Sequence, residues 1–113
     1  MRFIDSHVHV GQYAELEPIL KYAKSSETLL LGVSTNRNDS MLTLEFAREN
    51  AGRVIPFVGV HPSEVTTALD LDWLGGAAQN AAGLGEIGLD PKYSEIGPGS
   101  GQLNAFQMQL ELA

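Results

Sequence analysis

The sequence contains no cysteine. This absence excludes disulfide bonds, thiolate metal ligands and a cysteine nucleophile, so any metal site must be built from imidazole and carboxylate groups. No apolar run reaches the roughly 18 residues of a membrane-spanning helix, and the first residues lack the basic and apolar segments of a signal peptide. We therefore expect a soluble, untargeted, cytoplasmic protein without a membrane partner.

Basic residues are also few. The chain has 7 lysines and arginines and 14 aspartates and glutamates, which gives a net charge of −7. A chain with this balance repels nucleic acid unless a local positive centre offsets its charge. The chain has 113 residues, of which 43% are hydrophobic. This length and composition suit a single globular domain over residues 1–113.

Strand-like apolar runs and helix-like stretches alternate along the chain. The runs begin near residues 2, 28, 54 and 83, a period of roughly 26 to 29 residues that fits parallel β/α units. The periodicity predicts helices over residues 14–24, over 39–50 with Gly52 as a stop, over 63–81 with a break near Gly75 and Gly76, and from Gln102 onward. No GxGxxG or P-loop motif opens any of them. The pattern predicts an α/β fold with parallel strands, as an open doubly wound sheet or as part of a (β/α)8 barrel.

Two of the three histidines lie in the segment DSHVH, residues 5–9. Alternate residues of an extended strand share a face, so Asp5, His7 and His9 are predicted to point the same way. The histidines would be about 6 to 7 Å apart along the strand, close enough for both rings to bind one cation. A polar strand face in contact with solvent explains the same motif, which is too short to decide by itself.

Two further polar residues lie near the ends of predicted strands, His61 in GVHP and Glu86 in GLGEIGLD. Parallel β/α folds bring such strand ends together. A carboxylate in an apolar strand needs a partner, and either a cation held by His7 and His9 or a salt bridge to arginine or lysine provides one. His61 either caps its strand through hydrogen bonds or contacts a substrate oxygen.

The motifs DSHVH, GVHP and GEIGLD, followed by QLNAFQMQLELA, resemble in order and spacing the first half of a TatD-type metal-dependent hydrolase. This is the deoxyribonuclease family within the amidohydrolase superfamily, and the resemblance covers essentially the whole chain. It implies the first four units of a (β/α)8 TIM-type barrel that hydrolyses phosphodiester bonds in DNA with up to two divalent ions, Mg, Mn or Zn. It also implies that His7 and His9 bind metal, that Glu86 is both a metal ligand and a catalytic carboxylate, and that His61 is a catalytic residue.

Such barrels have roughly 250 residues and eight strands, and the family pattern continues into further histidine and aspartate ligands that this sequence does not contain. The helical apolar stripe of Leu103, Phe106, Leu110 and Ala113 also stops without a cap. We therefore expect the N-terminal half of a longer barrel, as an expressed fragment, the product of a split gene, the result of a premature stop or an incomplete sequence. Its two open sheet edges predict a homo-oligomer. DNA is then the substrate of the complete enzyme, and the chain alone is expected to be inactive.

Two other functions fit the same sequence. A non-catalytic half-barrel that binds a partner or a second copy would retain these motifs without needing metal. A related amidohydrolase would use the same ligands on an amide or ester. The segment 91–101, PKYSEIGPGSG, either shapes specificity or forms a mobile surface connection. Asp90, which shares the strand parity of Glu86, either faces the site or begins a turn with Pro91.

Overall fold

The computed structural model describes residues 2–113 and contains four strands connected by helices. Strands β1 (Phe3–Val8), β2 (Thr28–Gly32), β3 (Val54–Val58) and β4 (Gly83–Leu84) lie side by side in that order. The helices are α1 (Glu17–Ser25), α2 (Arg37–Glu49), α3 (Asp72–Ala78) and α4 (Gly101–Leu112). Each strand pairs in parallel with the next in sequence. The chain therefore forms the first β/α units of a TIM-type barrel, and the predicted fold class is confirmed.

Apolar side chains fill the space between the sheet and the helices in two clusters. The first joins β1, β2 and β3 to α1 and α2, and consists of Val8, Val10, Ala23, Leu30, Phe46, Ala47 and Val54. The second joins the end of β3 to α3 and α4, and consists of Val58, Val60, Leu71, Leu74, Ala77 and Ala105. Val10 and Val60 directly follow and precede His9 and His61, so core packing anchors the backbone next to both histidines.

Three of the four predicted helices are found close to their predicted positions, with ends set by local capping. The start of α1 lies later than predicted, and Pro18 occupies its first turn, where the missing N–H costs no hydrogen bond. The start of α2 follows Asn36, whose side-chain oxygen accepts the Asp39 N–H at 2.9 Å. The start of α4 follows Ser100, whose hydroxyl oxygen accepts the Leu103 N–H at 3.2 Å.

The prediction of one helix over residues 63–81 is wrong. This segment contains part of a short 3-10 turn, Pro62–Glu64, then irregular chain, and then α3. The β-branched pair Thr66 and Thr67 disfavours helix between the two elements. Asp70 accepts the Asp72 N–H at 2.8 Å and so forms a turn immediately before α3. Gly75 and Gly76, where a break in the helix was predicted, lie inside α3 and do not break it.

The predicted fourth strand, residues 83–89, is also much shorter than expected, because β4 has only two residues. Beyond it the chain bonds to the extension of β2, since Ser34 N donates to the Gly85 carbonyl at 3.0 Å and Glu86 N donates to the Ser34 carbonyl at 2.7 Å. Gly59, which follows β3, leaves room for the same segment on its other side, because a Cβ there would lie 3.2 Å from the Glu86 carbonyl oxygen. Glu86 consequently follows the strand and does not belong to it.

The buried face of α4 differs from its apolar stripe. Leu110 is half exposed, and Ala113 lies beyond the end of the helix. The buried side chains are Gln102, Ala105 and Gln109. Two buried amides on one helix face require hydrogen-bond partners, which the surrounding backbone supplies. Within residues 2–113, no helix has the length and hydropathy needed to cross a bilayer.

Candidate metal centre

Three of the predicted site residues meet at the carboxyl ends of the parallel strands. His7 lies in β1, His9 lies in the turn that follows it, and Glu86 lies just beyond β4. One potential ligand atom from each lies within 4.8 Å of the other two. Parallel β/α folds place their functional sites at this edge, so the sequence positions and the topology agree.

The two histidine rings approach each other through their Nε2 atoms, which are 3.2 Å apart. Because β1 ends at Val8, the position of His9 is set by the turn Val10–Gln12, in which Gln12 N donates to the His9 carbonyl at 3.0 Å. Two imidazole nitrogens bound tetrahedrally at about 2.0–2.1 Å to one zinc ion are roughly 3.3 Å apart. The spacing of the ring nitrogens therefore fits two ligands of one cation.

Glu86 directs its two carboxylate oxygens toward different histidines. Its Oε2 lies 3.7 Å from His7 Nε2 and 3.5 Å from His9 Nε2. Its Oε1 lies 4.0 Å from His61 Nε2. Within residues 2–113, no lysine or arginine forms a salt bridge with Glu86, so the alternative of such a bridge is not what the structure contains. One carboxylate therefore lies close to all three imidazole rings.

His61 presents a different chemical group to the site. Its Nδ1 accepts the Ser63 N–H at 3.1 Å and lies 2.8 Å from the Ser63 hydroxyl. A neutral imidazole whose Nδ1 accepts has its proton on Nε2, so the nitrogen that faces Glu86 is a donor. His61 therefore caps the turn Pro62–Glu64 and at the same time directs an N–H toward the cluster. Of the two alternatives left open by the sequence, the structure contains the hydrogen-bonded cap, and a contact of His61 with substrate stays a prediction.

The structure does not bring the two aspartates of these motifs into the cluster. Asp5 accepts the His7 backbone N–H at 3.2 Å, and so supports the strand that contains His7. Asp90 accepts the Lys92 N–H at 2.9 Å and therefore begins the turn at Pro91. Both carboxylates lie outside the group of three potential ligands.

The loop after Asp90 is anchored beside the site by a buried amide. Gln102 accepts the Asp90 N–H at 2.8 Å and donates to the Asp90 carbonyl at 2.9 Å. The Tyr93 ring packs edge-to-face against His61 with centroids 5.7 Å apart, and Lys92 Nζ lies 5.6 Å from the centre of the Tyr93 ring. The start of the loop thus forms one rim of the site.

Gln109 is a second buried amide, and its role was not predicted from the sequence. Its Oε1 accepts the Val60 N–H at 2.7 Å, and its Nε2 donates to the Val60 carbonyl at 3.1 Å. The pair of bonds fixes the backbone immediately before His61. A signal was available, because Gln102 and Gln109 are seven residues apart and therefore share one face of α4.

The donor set and the space around it both suit a divalent cation. Two imidazoles and one carboxylate bind Zn and Mn well, and three protein ligands are the number found in catalytic zinc sites. His9 Nδ1 is buried and has no hydrogen-bond partner among residues 2–113, which leaves Nε2 as its ring nitrogen in contact with the cluster. An open cavity of about 370 Å³ adjoins the histidines and is lined by Asp5, His7, Val8, His9, Gln12 and Tyr13. A larger depression of about 710 Å³ near α2 has no histidine in its lining.

Parallel β/α units that gather imidazole and carboxylate groups at their strand ends are typical of metal-dependent hydrolases built on TIM-type barrels. The sequence model of the TatD related DNase family matches residues 4–113. The chain therefore belongs to the TatD related DNase family, as its motifs suggested. No curated protein matches the chain significantly. Family membership indicates a metal-dependent hydrolase of the nuclease type.

Proposed function

We propose that this chain supplies part of the active site of a divalent-metal-dependent enzyme that hydrolyses phosphodiester bonds in DNA. The observation that supports the proposal best is the convergence of two imidazole nitrogens and one carboxylate within 4.8 Å. They converge at the strand ends of a chain that belongs to the TatD related DNase family. Fold and family alone leave the location of the chemistry open, and this cluster is the observation that supports the named side chains.

Each residue of the cluster has a distinct role in the proposed site. His7 and His9 would hold a cation through Nε2, and Glu86 would add negative charge through its carboxylate, whose Oε2 faces His9 and whose Oε1 faces His61. A divalent cation held there would stabilise negative charge on the phosphate and activate water for attack. His61 donates its Nε2–H to a phosphate oxygen, because its Nδ1 is already engaged by Ser63.

The acidic balance of the chain is compatible with a DNA substrate under this proposal. Bound cations supply the local positive centre that a net charge of −7 otherwise denies to a phosphate backbone. Lys92 and Tyr93, at the rim next to His61, add one basic and one aromatic group of the kinds that contact phosphates and bases.

Calorimetric titration of Mn²⁺ and Zn²⁺ into the purified chain tests the metal centre. We expect one ion per chain, with affinity lowered about tenfold or more by Glu86→Gln and by His7→Ala, because each change removes a ligand. Glu111→Gln is the matched control, since Glu111 is exposed on α4 outside the cluster. Absence of binding, or equal binding by Glu86→Gln and the wild type, would contradict the proposed ligands.

Cleavage of a DNA oligonucleotide tests the substrate. The chain is mixed with the C-terminal region of a full-length family member, which supplies the strands that complete a barrel. We expect metal-dependent cleavage that EDTA abolishes and that Glu86→Gln reduces. A metal-loaded complex that cleaves an amide or ester, but not DNA, would instead identify a related amidohydrolase.

A further inference from the structure

We propose that Asp39 is a positioning residue that fixes the relative positions of the segments bearing His9, His61 and Glu86. It touches none of these side chains and acts through hydrogen bonds to Gln12 and Thr35, because the backbones of Gln12, of Thr35 and of the adjacent Ser34 bond to the three site segments. Its importance for metal binding rests on the proposed function. Its effect on the positions of the histidines does not rest on the proposed function and can be measured without any metal.

Asp39 is a buried carboxylate in the first turn of α2, with 3% of its surface exposed. Its Oδ2 accepts three hydrogen bonds, from Thr35 N at 2.9 Å, from Thr35 Oγ at 3.2 Å and from Gln12 Nε2 at 3.1 Å. A buried carboxylate is costly unless it is well paired. The three donors that bond to this one oxygen supply the pairing, and they connect Asp39 to two other segments of the chain.

The contact with Gln12 links Asp39 to the turn that contains His9. Gln12 precedes Asp39 by 27 residues, and its own backbone N–H donates to the His9 carbonyl at 3.0 Å. Its side-chain amide also lies 3.3 Å from Thr35 Oγ. A residue that only capped α2 would bond to its neighbours in sequence. The bond to Gln12 gives Asp39 a second role beyond capping.

The contact with Thr35 links Asp39 to the other two site segments. The Thr35 carbonyl accepts the His61 N–H at 2.8 Å, and the preceding Ser34 carbonyl accepts the Glu86 N–H at 2.7 Å. The two residues that extend β2 therefore bind the backbone of both His61 and Glu86. Because Asp39 fixes Thr35 through two bonds, it fixes the strand extension on which both segments depend.

Gly11 lies against the other oxygen of the carboxylate, Asp39 Oδ1. A Cβ at this position would overlap Asp39 Oδ1 and lie 2.8 Å from the Asp39 carbonyl oxygen. The turn after His9 and the first turn of α2 are therefore in direct contact, with the carboxylate between them. Asp39 Oδ1 is buried and has no hydrogen-bond partner among residues 2–113, so the bonding of this side chain depends on Oδ2.

The test compares the wild type with Asp39→Ala, Gln12→Ala and the double variant. Two quantities are measured, the Mn²⁺ and Zn²⁺ affinities and the ring ¹H–¹⁵N spectra of the three histidines without metal. We expect each single variant to lose roughly tenfold in affinity, the lower end of the loss that follows removal of a group bonded directly to a metal ligand. The double variant should lose little more than the weaker-binding single variant, because both changes break one connection. Asp39→Asn keeps an oxygen acceptor, so its metal affinity should be much closer to that of the wild type than the affinity of Asp39→Ala is.

The matched control is Thr28→Val, which removes a buried hydroxyl at the opposite end of β2. It should lower stability without moving the histidine ring signals. Unchanged ring signals and unchanged affinity in folded Asp39→Ala would overturn the proposal. If Asp39→Ala does not fold, Gln12→Ala decides by the same two measurements.

The two proposals fail in distinguishable ways. A wild type that binds no ion refutes the metal ligands, whereas the ring spectra still test Asp39. Displaced His9 and His61 signals in Asp39→Ala then support its positioning role, and signals identical to the wild type refute it. A wild type that binds metal, with Asp39→Ala and Gln12→Ala unchanged in both affinity and ring signals, refutes the Asp39 role alone.

Discussion

Replacing Gln109 with leucine tests whether α4 holds the end of β3 in place. The Gln109 amide is 1% exposed and forms two hydrogen bonds with Val60, whose N–H and carbonyl have no other partner among the backbone bonds within residues 2–113. Leucine has a similar size but neither donates nor accepts. Both buried backbone groups would therefore be left unpaired.

The expected loss of stability follows from these two groups. Each buried polar group left without a partner costs about 1–3 kcal/mol, or roughly 2–6 kcal/mol for the pair. Burial of the leucine side chain returns roughly 1.5–3 kcal/mol. We expect Gln109→Leu to lower the free energy of unfolding by about 2 kcal/mol. Since Val60 precedes His61, the ring signals of His61 should shift as well.

Urea unfolding followed by circular dichroism measures the effect. A loss of about 2 kcal/mol moves the midpoint by roughly 1 M at the usual dependence of 1–3 kcal/mol per M. The matched control is Gln107→Leu, which makes the same change on an exposed position of the same helix and should stay within about 0.5 kcal/mol of the wild type. If Gln109→Leu were as stable as this control, the amide would not be the element that fixes β3.

Three further predictions concern the ends of the fold and the completeness of the site. Ser100→Ala should lower the free energy of unfolding by about 0.5–2 kcal/mol, because Ser100 caps α4; an unchanged urea midpoint would contradict this. The chain should self-associate through its open edges, since Phe3 and Ile4 on edge strand β1 are 55% and 64% exposed; a monodisperse monomer in light scattering at high concentration would refute it. The chain alone should not cleave DNA with Mg²⁺, Mn²⁺ or Zn²⁺, because a two-metal clamp needs more ligands than His7, His9 and Glu86; metal-dependent cleavage by the purified chain would show otherwise.

Much of the architecture was predictable because local sequence properties control it. Apolar runs at a regular period gave the four β/α units, and buried parallel strands require such runs. Helix starts follow side chains that accept the first free N–H groups, as Asn36 does for α2 and Ser100 for α4. The candidate metal ligands were found because parallel strands bring their carboxyl ends to one edge, whatever their separation in sequence.

The sequence-based predictions were wrong where contacts between distant segments override the local conformational preference of the chain. β4 was predicted to continue past Leu84, yet the next residues bond to Ser34 at the end of β2, an interaction between segments about fifty residues apart. Gln102 and Gln109 of α4 are buried because their amides pair with backbone groups of Asp90 and Val60, which are contacts between distant segments.

The sequence by itself determined the fold class and the residues predicted to meet at the strand ends. These depend on hydrophobic periodicity and on the rule that parallel units share an orientation. Only the tertiary structure decided that His61 offers a donor, that Glu86 is shared among three histidines, and that Asp39 connects their segments. Such roles depend on which atom of one side chain meets which atom of another. Contacts between residues far apart in sequence are set by the packing of the whole chain.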